Sequence, residues 1–256
     1  MLLNLFANIL FPPVCVACRR RVRRGVICRR CFKSIGIRDA LSCGQCLVRL
    51  PGARNGTSAR GASGSAKKIC HPDFPFLLGA AGRYENRAMK ALIHHLKFRS
   101  IRDAAKPLAT LMLRHVSRAK IDLRGFIVMP IPLSNRRLRV RGYNQAELIA
   151  RHFVEMLGKT TSSGMGSGCN PVNLSVAANT LVRAKHTQPQ SATESIAERK
   201  ENIRGAFAVQ NPDAICGKNI LLIDDVTTSG ATFLEAALAL KAAGANKIIC
   251  LAAAKA

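Results

Sequence analysis

The residues best suited to chemistry in this 256-residue sequence are two adjacent carboxylates followed by a run of hydroxyls around one glycine, Asp224-Asp225-Val226-Thr227-Thr228-Ser229-Gly230-Ala231-Thr232. Leu221, Leu222 and Ile223 before them predict a buried parallel strand. The acids then stand at its C-terminal end, where open α/β sheets bind ligands. Thr227 to Thr232 lead into a helix, and first-turn N–H groups, hydroxyl donors and a permissive Gly230 make a cradle for a dianionic phosphate. Asp224 and Asp225 can accept hydrogen bonds from vicinal ribose hydroxyls, so the stretch reads as a ribose 5-phosphate binder. A response-regulator receiver would carry its acidic pair on the first strand, with a full domain after it; here only 31 residues follow Asp225. A Walker B strand requires a G-x4-G-K-[ST] partner, and before Gly158-Lys159-Thr160 the first glycine is replaced by Phe153.

A second chemistry lies in the cysteines. Of ten, seven fall between Cys15 and Cys70. Cys15-x2-Cys18 and Cys28-x2-Cys31 are two pairs with nine residues between them. Each pair predicts a tight turn aiming two thiolates at one point, and four thiolates at tetrahedral positions are what Zn2+ prefers. A further pair, Cys43-x2-Cys46, is followed by Cys70, and Asp73 stands where a matching pair would end. His71 or Asp73 completes that second site if it is filled. Such closed sites are structural and leave no coordination position for a substrate. Clustered thiols of this kind fit a reducing cytoplasm, where metal binding is commoner than disulfides.

The elements that must position these groups follow from pattern. Residues 1–75 hold the cysteine pairs and form one expected module; residues 76–256 alternate helical and strand-like segments, the mark of a parallel α/β domain. Helices are predicted over Asn86 to Phe98, Lys106 to Val116 and Gln145 to Leu157. Phe126 to Pro132 reads as a buried strand. Asn219 to Val226, Ala231 to Ala243 and Lys247 to Ala254 read as strand, helix and strand, with Gly244 at the helix C-terminus. Pro51 to Lys68 and Lys159 to Asn170 lack apolar periodicity and read as loops. Leu2 to Phe11 reads as a short amphipathic helix rather than a signal peptide. No segment approaches the ~20 apolar residues of a membrane helix.

Forty Lys and Arg against fourteen Asp and Glu give a net charge of +26, which favours phosphate-rich partners, nucleotides or nucleic acid. Two Tyr, ten Phe and no Trp argue against an extensive base-stacking platform. No Ser/His/Asp or Cys/His constellation stands out. His94 and His95 read as packed or partly exposed helix residues, and Asn144 as the cap of the helix starting at Gln145.

Leu221 to Thr232 resembles the signature of type I phosphoribosyltransferases, which binds 5-phosphoribosyl-1-pyrophosphate (PRPP). Several other stretches resemble the ComF competence-associated family: His95 to Phe98, Met129 to Pro132, the arginines Arg136, Arg137 and Arg139 with the run Arg141 to Gln145, the Arg183-x-Lys185-x-Thr187-x2-Gln190 segment, and Arg199 to Phe207. With the N-terminal cysteines the likeness covers nearly the whole chain in order. It implies a type I phosphoribosyltransferase-like parallel sheet flanked by helices, carrying a small N-terminal zinc module. It further implies PRPP binding with Mg2+, and phosphoribosyl transfer or PRPP sensing without turnover. Resemblance and position nominate Lys97, Arg141 and Lys185 as pyrophosphate contacts, with backbone N–H groups of Met129 to Pro132 nearby. The implied biology is DNA uptake, with single-stranded DNA, a DNA-uptake helicase or other competence proteins as partners.

Overall fold

Two neighbouring strands set the layers of the molecule through the simple alternation of their side chains. In the computed structural model, which describes residues 13–50, 70–162, 174–184 and 205–256, β6 (Asn219–Thr227) and β7 (Ile248–Lys255) are parallel neighbours at the sheet centre. Leu221, Ile223, Ile249 and Leu251 enter one core; Ile220, Leu222, Ile248 and Cys250 enter the other. A strand buried on both faces reads as a continuous apolar run, as both of these do.

Strand β2 (Leu77–Arg83) pairs with β7, and β3 (Phe126–Pro130) with β6, both in parallel. The short β1 (Ser42–Cys43) adds an antiparallel edge to β2, giving the order β1-β2-β7-β6-β3. On one face lie α2 (Arg87–Phe98), α3 (Ala105–Arg118) and α5 (Gln145–Ser162). The five-residue α1 (Arg29–Lys33), in the cysteine-rich region, packs Phe32 on the same side. The opposite face is covered by α6 (Ala231–Ala242) and by the antiparallel pair β4 (Leu181–Arg183) and β5 (Phe207–Val209). An additional seven-residue helix, α4 (Asn135–Arg141), follows β3.

The periodic helices form where their spacing predicts. Asn86 caps α2 by accepting from the N–H groups of Ala88 and Met89 at 3.0 and 3.1 Å, which satisfies two of the orphan donors of the first turn. Gly244, at φ +84°, ends α6 in the left-handed conformation that glycine adopts without penalty. The strand expected to run to Pro132 ends at Pro130. Lys185, Thr187, Gln190, Arg199, Asn202, the stretch Leu2–Phe11 and the loop 51–68 lie outside the described residues, as does most of the segment after Ser162. Among the described residues no helix is long and apolar enough to cross a membrane.

The cysteine-rich region is joined to the sheet by backbone as well as packing. The Arg38 N–H donates to Ala81 O at 3.0 Å, and buried His115 of α3 lies 2.8 Å through Nδ1 from Arg38 O. A carbonyl can only accept, so Nδ1 carries the proton. Nε2 faces Gly79, where an added Cβ would come within 2.9 Å of it. Burial, with the Arg38 charge assisting, holds the imidazole below its ordinary pKa against the opposing carbonyl bond and Asp39. The fold therefore contains neutral His115 while the unfolded chain takes up a proton near pH ~6.5. This contribution is complete above that pH and is lost as pH falls below it. Between pH 7 and 5.5 the wild type should lose up to about 1.4 kcal/mol per pH unit relative to His115→Gln. Urea unfolding at several pH values reads this difference, and parallel pH profiles would refute it.

Candidate functional site

Both C-x2-C turns in the N-terminal region close in the same way. The N–H of Arg19 donates to Cys15 O at 2.9 Å and that of Leu47 to Cys43 O at 3.0 Å, and both donors have positive φ, 63° and 60°. Cys15, Cys18, Cys28 and Cys31 bring their sulfurs within 4.8 Å of one another. Cys18 and Cys28 sulfurs are 3.7 Å apart; a tetrahedral zinc with ~2.3 Å bonds to sulfur spaces its thiolates by ~3.8 Å. Cys43, Cys46, Cys70 and His71 form a second such group. There Cys43 Sγ lies 3.5 Å from His71 Nδ1, and the Cys46 and Cys70 sulfurs are 3.3 Å apart. Of the two candidates for the fourth ligand the fold selects His71; Asp73 is not in the group.

The crowded thiols titrate far apart. At Cys15 burial works upward, but hydrogen bonds from the backbone amides of Cys28, Cys18 and Ala17 outweigh it and lower the thiol to about 6. Cys31 is pushed up to about 12 by burial and by the neighbouring sulfurs. The second group repeats the split, with Cys43 at about 6 and Cys70 at about 11. Sulfurs this close cannot all ionise beside one another, and a divalent cation among them removes that conflict. Both donor sets fit zinc.

At the C-terminal ends of β3 and β6 the sheet opens into a cleft of about 230 Å³. Its walls include Lys97, Arg137, Gln145, Arg183, Asp224, Asp225 and the turn from Val226 through Phe233. Asp225 is 2% exposed, and its Oδ2 lies 2.7 Å from Lys97 Nζ, which the last turn of α2 delivers. The Val226 N–H donates to the other oxygen at 2.9 Å. Half-buried Asp224 accepts from the Asp225 N–H at 2.8 Å. Burial, then the adjacent Asp225 charge, raises the Asp224 carboxyl well above the ordinary carboxylate range, with Lys97 opposing. Gly230, at φ +80°, turns the chain into α6. Lys255 Nζ donates to Thr228 O at 2.9 Å and the Ala256 N–H to Thr227 O at 2.9 Å, pinning the turn from the outer side.

Arg141 stands outside the cleft wall. Its Nη1 donates to Gln145 Oε1, and Gln145 is the residue that reaches the cleft. Arg137 and Arg183, marked in the sequence only as parts of longer stretches, line the cleft instead. Burial lowers the Arg183 guanidinium below the ordinary arginine value, Arg137 adds to this, and Asp224 opposes it. Crowded cations above two carboxylates form a site for an anion attached to a hydroxylated group. The Met129 to Pro132 segment offers little as a donor: Pro130 and Pro132 have no N–H, and that of Ile131 already donates to Ile223 O at 2.9 Å. Asn144 caps α5 as expected, accepting from the Ala146 N–H at 3.0 Å. His95 Nδ1 lies 2.8 Å from the Ala91 carbonyl, and His94 is exposed, so neither lines the cleft.

Residues 6–70 match the double zinc ribbon domain, the paired architecture the two ligand groups display. The chain is 28% identical over 240 residues to DNA utilization protein YhgH of Salmonella typhi, covering 92% of this chain and 87% of that one. It is 26% identical over 240 residues to Competence protein F of Haemophilus influenzae, with the same 92% and 87% coverage. The Escherichia coli K12 protein named DNA utilization protein YhgH is 30% identical over 164 residues, 62% of this chain and 64% of that one. These likenesses run through ribbon and sheet alike, in the order of the sequence motifs, and on them the chain belongs to the ComF family of competence-associated proteins.

Proposed function

We propose that this protein binds PRPP with Mg2+ in the β3–β6 cleft, on a type I phosphoribosyltransferase-like fold, and transfers or hydrolyses its phosphoribosyl group in support of DNA uptake in the cytoplasm. The observation that carries the reading is the convergence of Asp224, the Lys97–Asp225 pair and the first turn of α6 on one cleft. The turn Thr228 to Thr232 is suited to the 5-phosphate through backbone N–H groups and hydroxyls. Asp224 and Asp225 accept from the ribose hydroxyls. Arg137, Arg183 and Lys97 face the diphosphate, where negative charge grows as the C1–O bond breaks and pyrophosphate leaves with the bonding pair. The acceptor, or water, supplies the new pair to C1 and loses its proton. Bound Mg2+ would neutralise part of the diphosphate charge. Such a site works by placement and field rather than by a nucleophilic side chain.

The link to DNA comes from the relatives, which are named for competence and DNA utilization. Calorimetry with PRPP and Mg2+ should give saturable binding, and a screen of candidate bases should then reveal pyrophosphate release. A wild-type protein that gives no binding heat would overturn the reading.

One observation favours a nucleic-acid-binding role beside the cleft, with PRPP acting as a signal. Helix α4 exposes Arg136, Arg137 and Arg139, and Val140 and Phe98 are 86% and 66% exposed next to them. The Arg141 guanidinium lies 5.8 Å from the Phe98 ring centre. A cationic strip with an open ring suits single-stranded DNA. The salt slope of binding should fall by about one on replacing both Arg136 and Arg139 with alanine. An unchanged slope would remove α4 from the interface.

A further inference from the structure

The second ribbon site and the anion-binding turn share a wall. Cys43 is itself a residue of the sheet, in register with Leu77 of β2. At the next position, Gly44, an added Cβ would fall 2.6 Å from Phe74 Cε1 and 2.7 Å from Phe76 O, so the metal-binding turn rests directly on these two phenylalanines. From the other side, the Phe74 N–H donates to the carbonyl of His71, the fourth ligand, at 3.2 Å. The Phe74 and Phe76 rings are 5.1 Å apart, and Phe76 continues to Phe233 at 6.4 Å. Phe76 is 3% exposed and Phe233 1%. Phe76 Cζ lies 4.0 Å from where a Cβ at Gly230 would stand, and both Gly230 and Phe233 line the cleft.

The turn from Thr227 to Phe233 is thus held on two sides. Lys255 and the Ala256 N–H hold its outer edge. On the inner edge the only aromatic among the described residues within reach of Gly230 is Phe76, and Phe76 is placed by the segment that carries Cys70 and His71. Closely packed rings transmit displacement because interiors of protein density do not absorb it. If the Cys43, Cys46, Cys70 and His71 site loses its metal, Gly44 and Phe74 are released together, since the ligands come from both strands of that contact.

We infer that Phe76 is a positioning residue through which zinc in the Cys43/Cys46/Cys70/His71 site fixes the anion-binding turn 227–233. The first site, Cys15 to Cys31, packs on the opposite core with α2 and α3 and has no such contact with the turn. The two zinc sites therefore differ in role: one anchors the ribbon, and the other sets the shape of the cleft. Linkage makes the coupling reciprocal, so an anion in the cleft tightens zinc in the second site by the same factor that this zinc tightens the anion.

The inference uses the cleft assigned above but can be tested without PRPP. Hydrogen exchange of the full-length protein should show the amides of 227–233 exchanging about tenfold faster in Cys46→Ser/Cys70→Ser than in the wild type. Amides of α3 should be unchanged, and zinc content should fall from two per chain to one. Phe76→Ala, with both zincs retained, should reproduce the faster exchange, and Phe76→Leu should restore most of the protection. Loss of the second zinc with protected turn amides would overturn the inference, as would Phe76→Ala behaving like the wild type. If the double variant loses both zincs, the Phe76 pair decides the matter alone. Zinc release to a chromogenic chelator, slowed by PRPP with Mg2+, gives the reciprocal readout. Wild-type protein that does not bind PRPP would refute the proposed ligand and leave the exchange result to judge the coupling.

Discussion

Lys97→Ala should unfold about 3 kcal/mol more readily than the wild type at neutral pH, an effect far larger than loss of a surface ion pair. The reason is the asymmetry of the pair. Lys97 keeps 24% of its side chain in solvent, whereas Asp225 keeps 2%. Deleting the lysine leaves a carboxylate sealed beneath the cleft with one backbone N–H as its remaining partner among those described. Adding Asp225→Asn to the lysine variant removes the stranded charge and should recover most of the loss. Neither protein should bind PRPP, because both lack the acid–base pair at the ribose end of the cleft. Urea unfolding of wild type, single and double variants measures the effect. A Lys97→Ala protein as stable as the wild type would show that the pair is not buried as described.

For Asp224→Asn the expectation runs the other way, toward a sturdier protein with an empty cleft. The carboxyl of Asp224 is raised by burial and by the Asp225 charge beside it. A carboxyl whose folded pKa exceeds its unfolded value, ~3.9, costs stability as pH rises from that value through the folded one. At neutral pH the asparagine removes this cost while keeping an oxygen for the Asp225 N–H. Thermal unfolding should move up by about 2–4 °C. PRPP affinity should fall about 100-fold, through loss of charge-assisted acceptance from the ribose. In the wild type, binding should weaken as pH falls through the raised Asp224 value, since only the ionised form accepts two hydroxyls. Calorimetry and scanning fluorimetry on the same samples decide it; a variant that binds PRPP like the wild type removes Asp224 from the site. Residues retained at a cost to the fold are characteristic of working sites.

How much of this was legible beforehand depends on whether a residue's role is local. The acid-tipped strand and its turn, the four helices with apolar periods and the first cysteine quartet were readable because each is specified by neighbours in the chain. Strand β2 was not. Leu77–Arg83 is half glycine and alanine, and it is a strand because Gly79 makes room for His115 and Gly82 sits where a Cβ would come within 2.9 Å of Met89. Helix α4 has four arginines and no apolar period, so only its Ser134 cap marks it, and the cap is not distinctive without the turn before it. Arg137 and Arg183 reach the cleft from two unrelated segments, and among so many arginines spacing could not single them out. The choice of His71 over Asp73 was open for a related reason. Cys43 is fixed by its pairing in the sheet, and that anchoring, invisible along the chain, decides which side chain can close the tetrahedron.

The two-residue β1 carries one more consequence. Together with the Arg38–Ala81 bond it shields the outer backbone of β2 from residue 77 to residue 81. Trimming the protein at residue 70 to isolate the larger part would leave that row of amides and carbonyls naked, an invitation to strand addition by any neighbour. The ribbon thus also serves as a chaperone in cis for the sheet border, keeping a strongly basic protein from stacking on itself before it meets an acidic partner.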